Sequence, residues 1–123
     1  MKACNEFVSK VLLVRDKAHL AHWAAKGKGS YARHVALGEF YDKVLELLDG
    51  FVEQYQGAYE KLLDPKLMGD DSTDIETELK YQVTWIELNR YDICDKEDTA
   101  LHNTIDELIR TYQTVLYKLN FLE

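Results

Sequence analysis

The residues of this chain best placed to do chemistry are its histidines and a run of carboxylates. His19 and His22 stand one helical turn apart, and His34 follows across a short glycine-containing segment. Glu39, Asp42, Glu46, Asp49 and Glu53 recur at three- and four-residue spacing, which lines them along one side of a helix, and Glu60 continues the stripe. At about 100° per residue, the stripe's centre lies roughly 160° from the seam of Leu37, Val44, Leu48 and Tyr55. It therefore turns away from the chain's own core. Imidazoles brought together across a turn bind iron, copper or zinc, and carboxylates add anionic ligands. The same residues have a plainer use, with the imidazoles as core or interface groups and the stripe as a solvated or partner-facing surface. His34 and Asp49 are separated by about 22 Å along one helix axis, whereas a metal lies only about 2 Å from its ligands. A site that uses both needs a second, antiparallel copy of the helix.

Other constellations are less specific. Asp92, Asp95, Glu97, Asp98 and His102 cluster where a helix should begin, and capping accounts for carboxylates there without a divalent ion. Arg15 shares an arc with His22 and is expected to pair with a carboxylate across the fold. Cys4 and Cys94 follow no metal or redox spacing, and Cys94 has no apparent histidine partner, which disfavours nucleophilic catalysis. Tyr41, Tyr55 and Tyr112 sit on apolar seams, so packing is their expected use. The chain has no phosphate loop, dinucleotide fingerprint, nucleophile elbow, HExxH or ExxH pattern.

Four blocks of helical periodicity must position these residues, over about 5–25, 31–63, 73–91 and 96–121. The first ends at Lys26-Gly27-Lys28-Gly29-Ser30, with Ser30 as the expected N-cap of the second. Gly38, Gly50 and Gly57 lie within the second helix and mark places for close packing or a bend. Asp64-Pro65 ends that helix. Thr73-Asp74-Ile75-Glu76 reads as a capping box opening the third, whose core stripe is Ile75, Leu79, Val83 and Ile86. Leu101, Ile105, Leu108, Tyr112, Val115 and Leu119 line the fourth. The fold class is all-α, a single four-helix bundle over residues 1–123. Up-down-up-down is its simplest order, and the segment from Asp64 to Ser72 is long enough for a crossover instead.

Two resemblances attach to these residues. His22-Trp23, the lysine-glycine turn, His34, Asp49 and Glu53 follow the pattern His-x11-His-x14-Asp-x3-Glu, which resembles the ferroxidase ligands of Dps-type mini-ferritins over residues 15–55. That resemblance implies a ferritin-like bundle assembled from many copies, oxidising and storing iron. It makes His22 and His34 ligands from one subunit, and Asp49 and Glu53 ligands from its mate. Trp23, His19 and Asp42 would support them, and another divalent transition metal could replace iron. Gly38 departs from the pattern, because that family usually has a carboxylate there. The run Arg33-His34-Val35-Ala36-Leu37-Gly38-Glu39-Phe40-Tyr41-Asp42 and the segment Phe51 to Gly57 are similar to a family of small uncharacterised proteins of tailed bacteriophages. This second resemblance covers more of the chain and implies a non-enzymatic helical protein that binds a host or defence protein, or sequesters a small ligand.

Composition limits both readings. A net charge of −7 on 123 residues argues against nucleic acid and anionic membrane as partners, which leaves those that the two resemblances imply, the chain itself or a host protein. The apolar run Val11-Leu12-Leu13-Val14 is far too short for a membrane span, and two cysteines make no disulfide scaffold. A reduced, cytoplasmic location is expected, the bacterial host's if the protein is of phage origin.

Overall fold

Each apolar block forms one helix in the computed structural model, which describes residues 1–123. These are α1 (Lys2–Ala24), α2 (Ser30–Tyr59), α3 (Ile75–Ile93) and α4 (Thr99–Phe121). The protein is all-α, and its four helices bury one shared cluster of 24 apolar residues.

Local chemistry shifts several boundaries from their expected places. Gly29, at φ 78°, takes the N-cap of α2, and Ser30 becomes the first helical residue. The left-handed turn needs the residue without a Cβ. At the other end Glu60 adopts φ 54°, and the Leu63 N–H donates to Gln56 Oε1 at 2.9 Å. The helix is thus closed before Asp64-Pro65 can break it. The capping box is displaced by one residue: Asp74 Oδ1 accepts from the Thr77 N–H at 2.8 Å, while Glu76 turns to Arg33 at 2.8 Å. In α3 the fully buried seam position belongs to Gln82, and Val83 is only half-buried. Asp98 precedes α4, yet its carboxylate accepts from the Tyr59 hydroxyl rather than capping.

The topology is up, down, down, up. α1 packs on α2 and α3, α4 packs on the same two, and the pairs α1/α4 and α2/α3 lie on the diagonals. Residues 60–74 climb along α1 as a strap. Asn5 accepts from the Asp64 N–H at 2.8 Å, Ser9 from the Lys66 N–H at 3.1 Å, and Lys17 holds Asp70 and Asp71 at 3.0 Å. Side chains of α1 therefore satisfy a strap that has no ladder of its own. The segment from Asp64 to Ser72 carries no helix. The strap is thus one long crossover between α2 and α3.

A buried polar chain crosses the core between α1, α3 and α4. The Tyr112 hydroxyl donates to Gln82 Oε1 at 2.8 Å, and the Gln82 amide donates to the Lys10 carbonyl at 2.8 Å and to Glu78 at 3.0 Å. Lys17 donates to Glu78 at 3.3 Å and to the Thr73 carbonyl at 2.8 Å. Lys17 and Glu78 are both buried, so each needs the other.

Candidate functional site

The glycine turn folds α2 back on α1 and brings His22 and His34 face to face. Their ring centroids are 3.6 Å apart with an interplanar angle of 18°. His22 Nδ1 contacts the His34 carbonyl at 2.5 Å, and His34 Nδ1 contacts the His22 carbonyl at 2.9 Å. A carbonyl oxygen only accepts, so each ring carries its proton on Nδ1 and is locked to the backbone of the opposite helix. The pair is a reciprocal staple at the turn end of the α1–α2 hairpin.

Gly38 belongs to this arrangement. A Cβ built there would lie 3.1 Å from His22 Cε1 and 3.3 Å from its Nδ1. The glycine leaves room for the imidazole, which explains in steric terms why no carboxylate stands at that position. Gly50 and Gly57 face open space and show no such close packing.

The rings neighbour an aromatic row. His19 stacks on Tyr41 at 4.2 Å and lies 4.1 Å from Trp23, and the Arg15 guanidinium sits 5.3 Å from the Tyr41 centroid. Arg15 pairs with adjacent Asp16 at 3.1 Å instead of a carboxylate across the bundle, and its Nε is buried without an acceptor. Trp23 is 67% exposed and so shields nothing from water.

The staple does not fit one shared metal ion. A metal binds imidazole in the ring plane at about 2.1 Å from nitrogen. An ion midway between rings stacked 3.6 Å apart would sit about 1.8 Å out of each plane, roughly 60° off the lone pair. Asp49 and Glu53 are exposed, further along α2, and nowhere in the chain do three His, Cys, Asp or Glu side chains converge as a metal-holding group. Asp49 and Glu53 lie too far along α2 to reach these rings, so either histidine could meet them only on another copy.

At the start of α4 the cluster around His102 has partners that spacing did not show, Arg90 and Cys94. His102 is buried, its Nε2 donates to the Asp95 carbonyl at 3.0 Å, and its Nδ1 accepts from Arg90 Nε at 3.2 Å. Arg90 also holds Asp106 at 2.8 Å. Cys94 Sγ lies 3.5 Å from His102 Nε2, so Cys94 does have a histidine partner. The thiol is nonetheless no nucleophile: burial pushes Cys94 up to about 11 and Cys4 up to about 12, and the facing ring nitrogen already carries a proton. Both cysteines are buried and free. The seven-residue spacing Asp95 to His102 was the available signal, but it gave no hint of Arg90. The cluster's use is to fasten the α3–α4 turn, where the Tyr59 hydroxyl accepts from the Asp95 N–H and donates to the Asp98 carboxylate.

The acidic stripe lies as its spacing requires. Glu39, Asp42, Glu46, Asp49 and Glu53 are all exposed along α2, Glu60 is exposed at its C-cap, and only Glu39 has a cation partner, Lys118 at 3.0 Å. No helix is long and apolar enough to cross a membrane.

Fold and site define an all-α crossover bundle whose hairpin is stapled by stacked histidines and whose second helix displays free carboxylates. The chain belongs to the family of unknown function DUF5856, which it matches over residues 22–119. It is also similar to the "Uncharacterized 14.6 kDa protein in mobD-ri intergenic region" of Enterobacteria phage T4. The two are 25% identical over 116 residues, covering 94% of this chain and 87% of the relative. No solved structure matches. These likenesses uphold the phage-protein resemblance, and none of them is to a mini-ferritin.

Proposed function

We propose that this protein is a non-enzymatic helical module of a phage-associated family that binds a basic protein surface through the carboxylates of α2. One observation carries the reading: Asp42, Glu46, Asp49, Glu53 and Glu60 are exposed together, and none takes part in an ion pair within the chain. Like charges three and four residues apart destabilise a helix, and a partner bearing Lys or Arg would relieve that repulsion and be steered toward it. His22, His34 and His102 supply fold contacts in this reading, and the thiols are sealed in the core.

The test compares wild type with the variant Asp42→Asn, Glu46→Gln, Asp49→Asn, Glu53→Gln as baits in bacterial lysate. Wild type should capture a protein with a basic face, and both the variant and added salt should abolish the capture. Equal capture by both baits would sink the reading. Iron(II) added aerobically to wild type and to His34→Ala forms a second arm. Iron binding that the substitution abolishes would replace the recognition reading with a metal site built between copies.

A further inference from the structure

The outward face of α3 is complementary to itself, and we infer that it pairs two copies of this chain about a two-fold axis through Thr84. At about 100° per residue, Thr77, Thr84 and Tyr91 run down the middle of that face. Lys80 and Glu87 form one flank, and Tyr81 and Leu88 form the other. The apolar members are far from buried: Leu88 is 79% exposed, Tyr91 58% and Tyr81 53%. Lys80 and Glu87 have no ion-pair partner, and a separation of roughly 10 Å along the axis keeps them from each other.

Two antiparallel copies of α3, related by an axis perpendicular to both helices at Thr84, keep like flank against like flank and reverse the direction along it. Lys80 then faces Glu87 of the second copy, and Glu87 faces the second Lys80. On the other flank Tyr81 meets the second Leu88, and the second Tyr81 meets Leu88. Thr77 falls opposite Tyr91. The small side chain of Thr84 sits at the crossing, where helices packed about 8–10 Å apart leave least room. Each residue thus meets its chemical complement under one operation, as an isologous interface demands.

The apolar flank extends beyond the helix. Tyr81 lies on the α1 side, where Lys10 Nζ approaches its ring to 4.9 Å, and it lines a cleft together with Met68 of the strap. Leu67 beside Met68 is 86% exposed. A second copy would cover these strap residues with the same surface. Because α2 and α3 lie on a diagonal of the bundle, such a dimer leaves both acidic stripes outward and gives the proposed module two of them, so its failure would leave the stripe reading standing.

Charge exchange tests the pairing on the full chain by analytical ultracentrifugation. Wild type should sediment as a dimer. Lys80→Glu places Glu against Glu87 twice, and Glu87→Lys places Lys against Lys80 twice, so each variant alone should dimerise about tenfold or more weakly. An equimolar mixture of the two restores both opposite-charge contacts and should recover the dimer, as should the double exchange in one chain. Circular dichroism checks that these exposed substitutions leave the helices intact. A wild type that stays monomeric at about 100 μM overturns the inference. So does a dimer that both single variants leave unchanged.

Discussion

Gly38 takes its role from the His22 ring packed against it. Beside a mini-ferritin pattern it is a missing ligand; beside the folded His22 ring it is the space the ring needs. The His22–His34 approach was legible, because a short glycine turn between two helices returns the chain on itself. What spacing could not disclose is that each Nδ1 is spent on a carbonyl and that the rings stack. Substitution by alanine separates the glycines by their surroundings. Gly50→Ala and Gly57→Ala meet open space and should raise stability by up to about 1 kcal/mol each, since alanine is the better helix former. Gly38→Ala gains the same propensity but must push a ring held by a hydrogen bond and a stack, together worth on the order of 1–2 kcal/mol. It should be neutral or destabilising. Urea unfolding of the three variants checks this, and a stabilised Gly38→Ala would mean that the staple is loose.

At the scale of elements, helix count and most boundaries were readable because apolar periodicity reports each helix's buried face. The order of packing was not, since periodicity does not say which neighbour that face meets. Of the two orders left open, the strap decides for the crossover, because Asn5, Ser9 and Lys17 hold residues 64–71 along α1. Gln82 was overlooked on the seam because a polar residue was not expected there; its partners come from α1, α3 and α4. Lys17 joins strap to core. Burial opposes its charge, but hydrogen bonds to Asp70, Asp71 and Glu78 outweigh that and raise its pKa above 10.5. Lys17→Met would leave Glu78 buried without a cation and should cost about 3–5 kcal/mol in urea unfolding. Lys17→Met with Glu78→Gln should recover much of that loss. Asp70 is held below the usual carboxylate range by Lys17, Asp71 by Thr73 and Lys17, and Asp74 by the Thr77 N–H. A lowered folded pKa means their contribution is complete above the unfolded value of about 4 and is lost as pH falls through the folded values. Lys17 acts in the opposite sense, its contribution disappearing as pH rises through its folded value. Wild type should therefore weaken below about pH 4, and Lys17→Met should show a shallower acid limb.

For the whole molecule, the net charge of −7 resolves into a local arrangement with a cost. Asp42–Glu46, Glu46–Asp49 and Asp49–Glu53 are three like-charge pairs at helical contact spacing, each destabilising by about 0.2–0.5 kcal/mol. The fold needs none of them, because α2 is held by Phe40, Val44, Leu48 and Phe51 on its opposite side. Neutralising Asp42, Glu46, Asp49 and Glu53 together should therefore stabilise the bundle by on the order of 1 kcal/mol at low ionic strength. The advantage should shrink once salt shortens the Debye length below about 8 Å. Thermal unfolding of this variant and wild type, at low and high salt, measures both effects. The same variant is the bait that should lose its partner. Greater stability together with lost capture would separate what α2 does for the fold from what it displays, and assign the stripe to recognition. A destabilised variant would instead mean that the carboxylates hold the bundle together through contacts to cations within the chain, and the recognition reading would lose its basis.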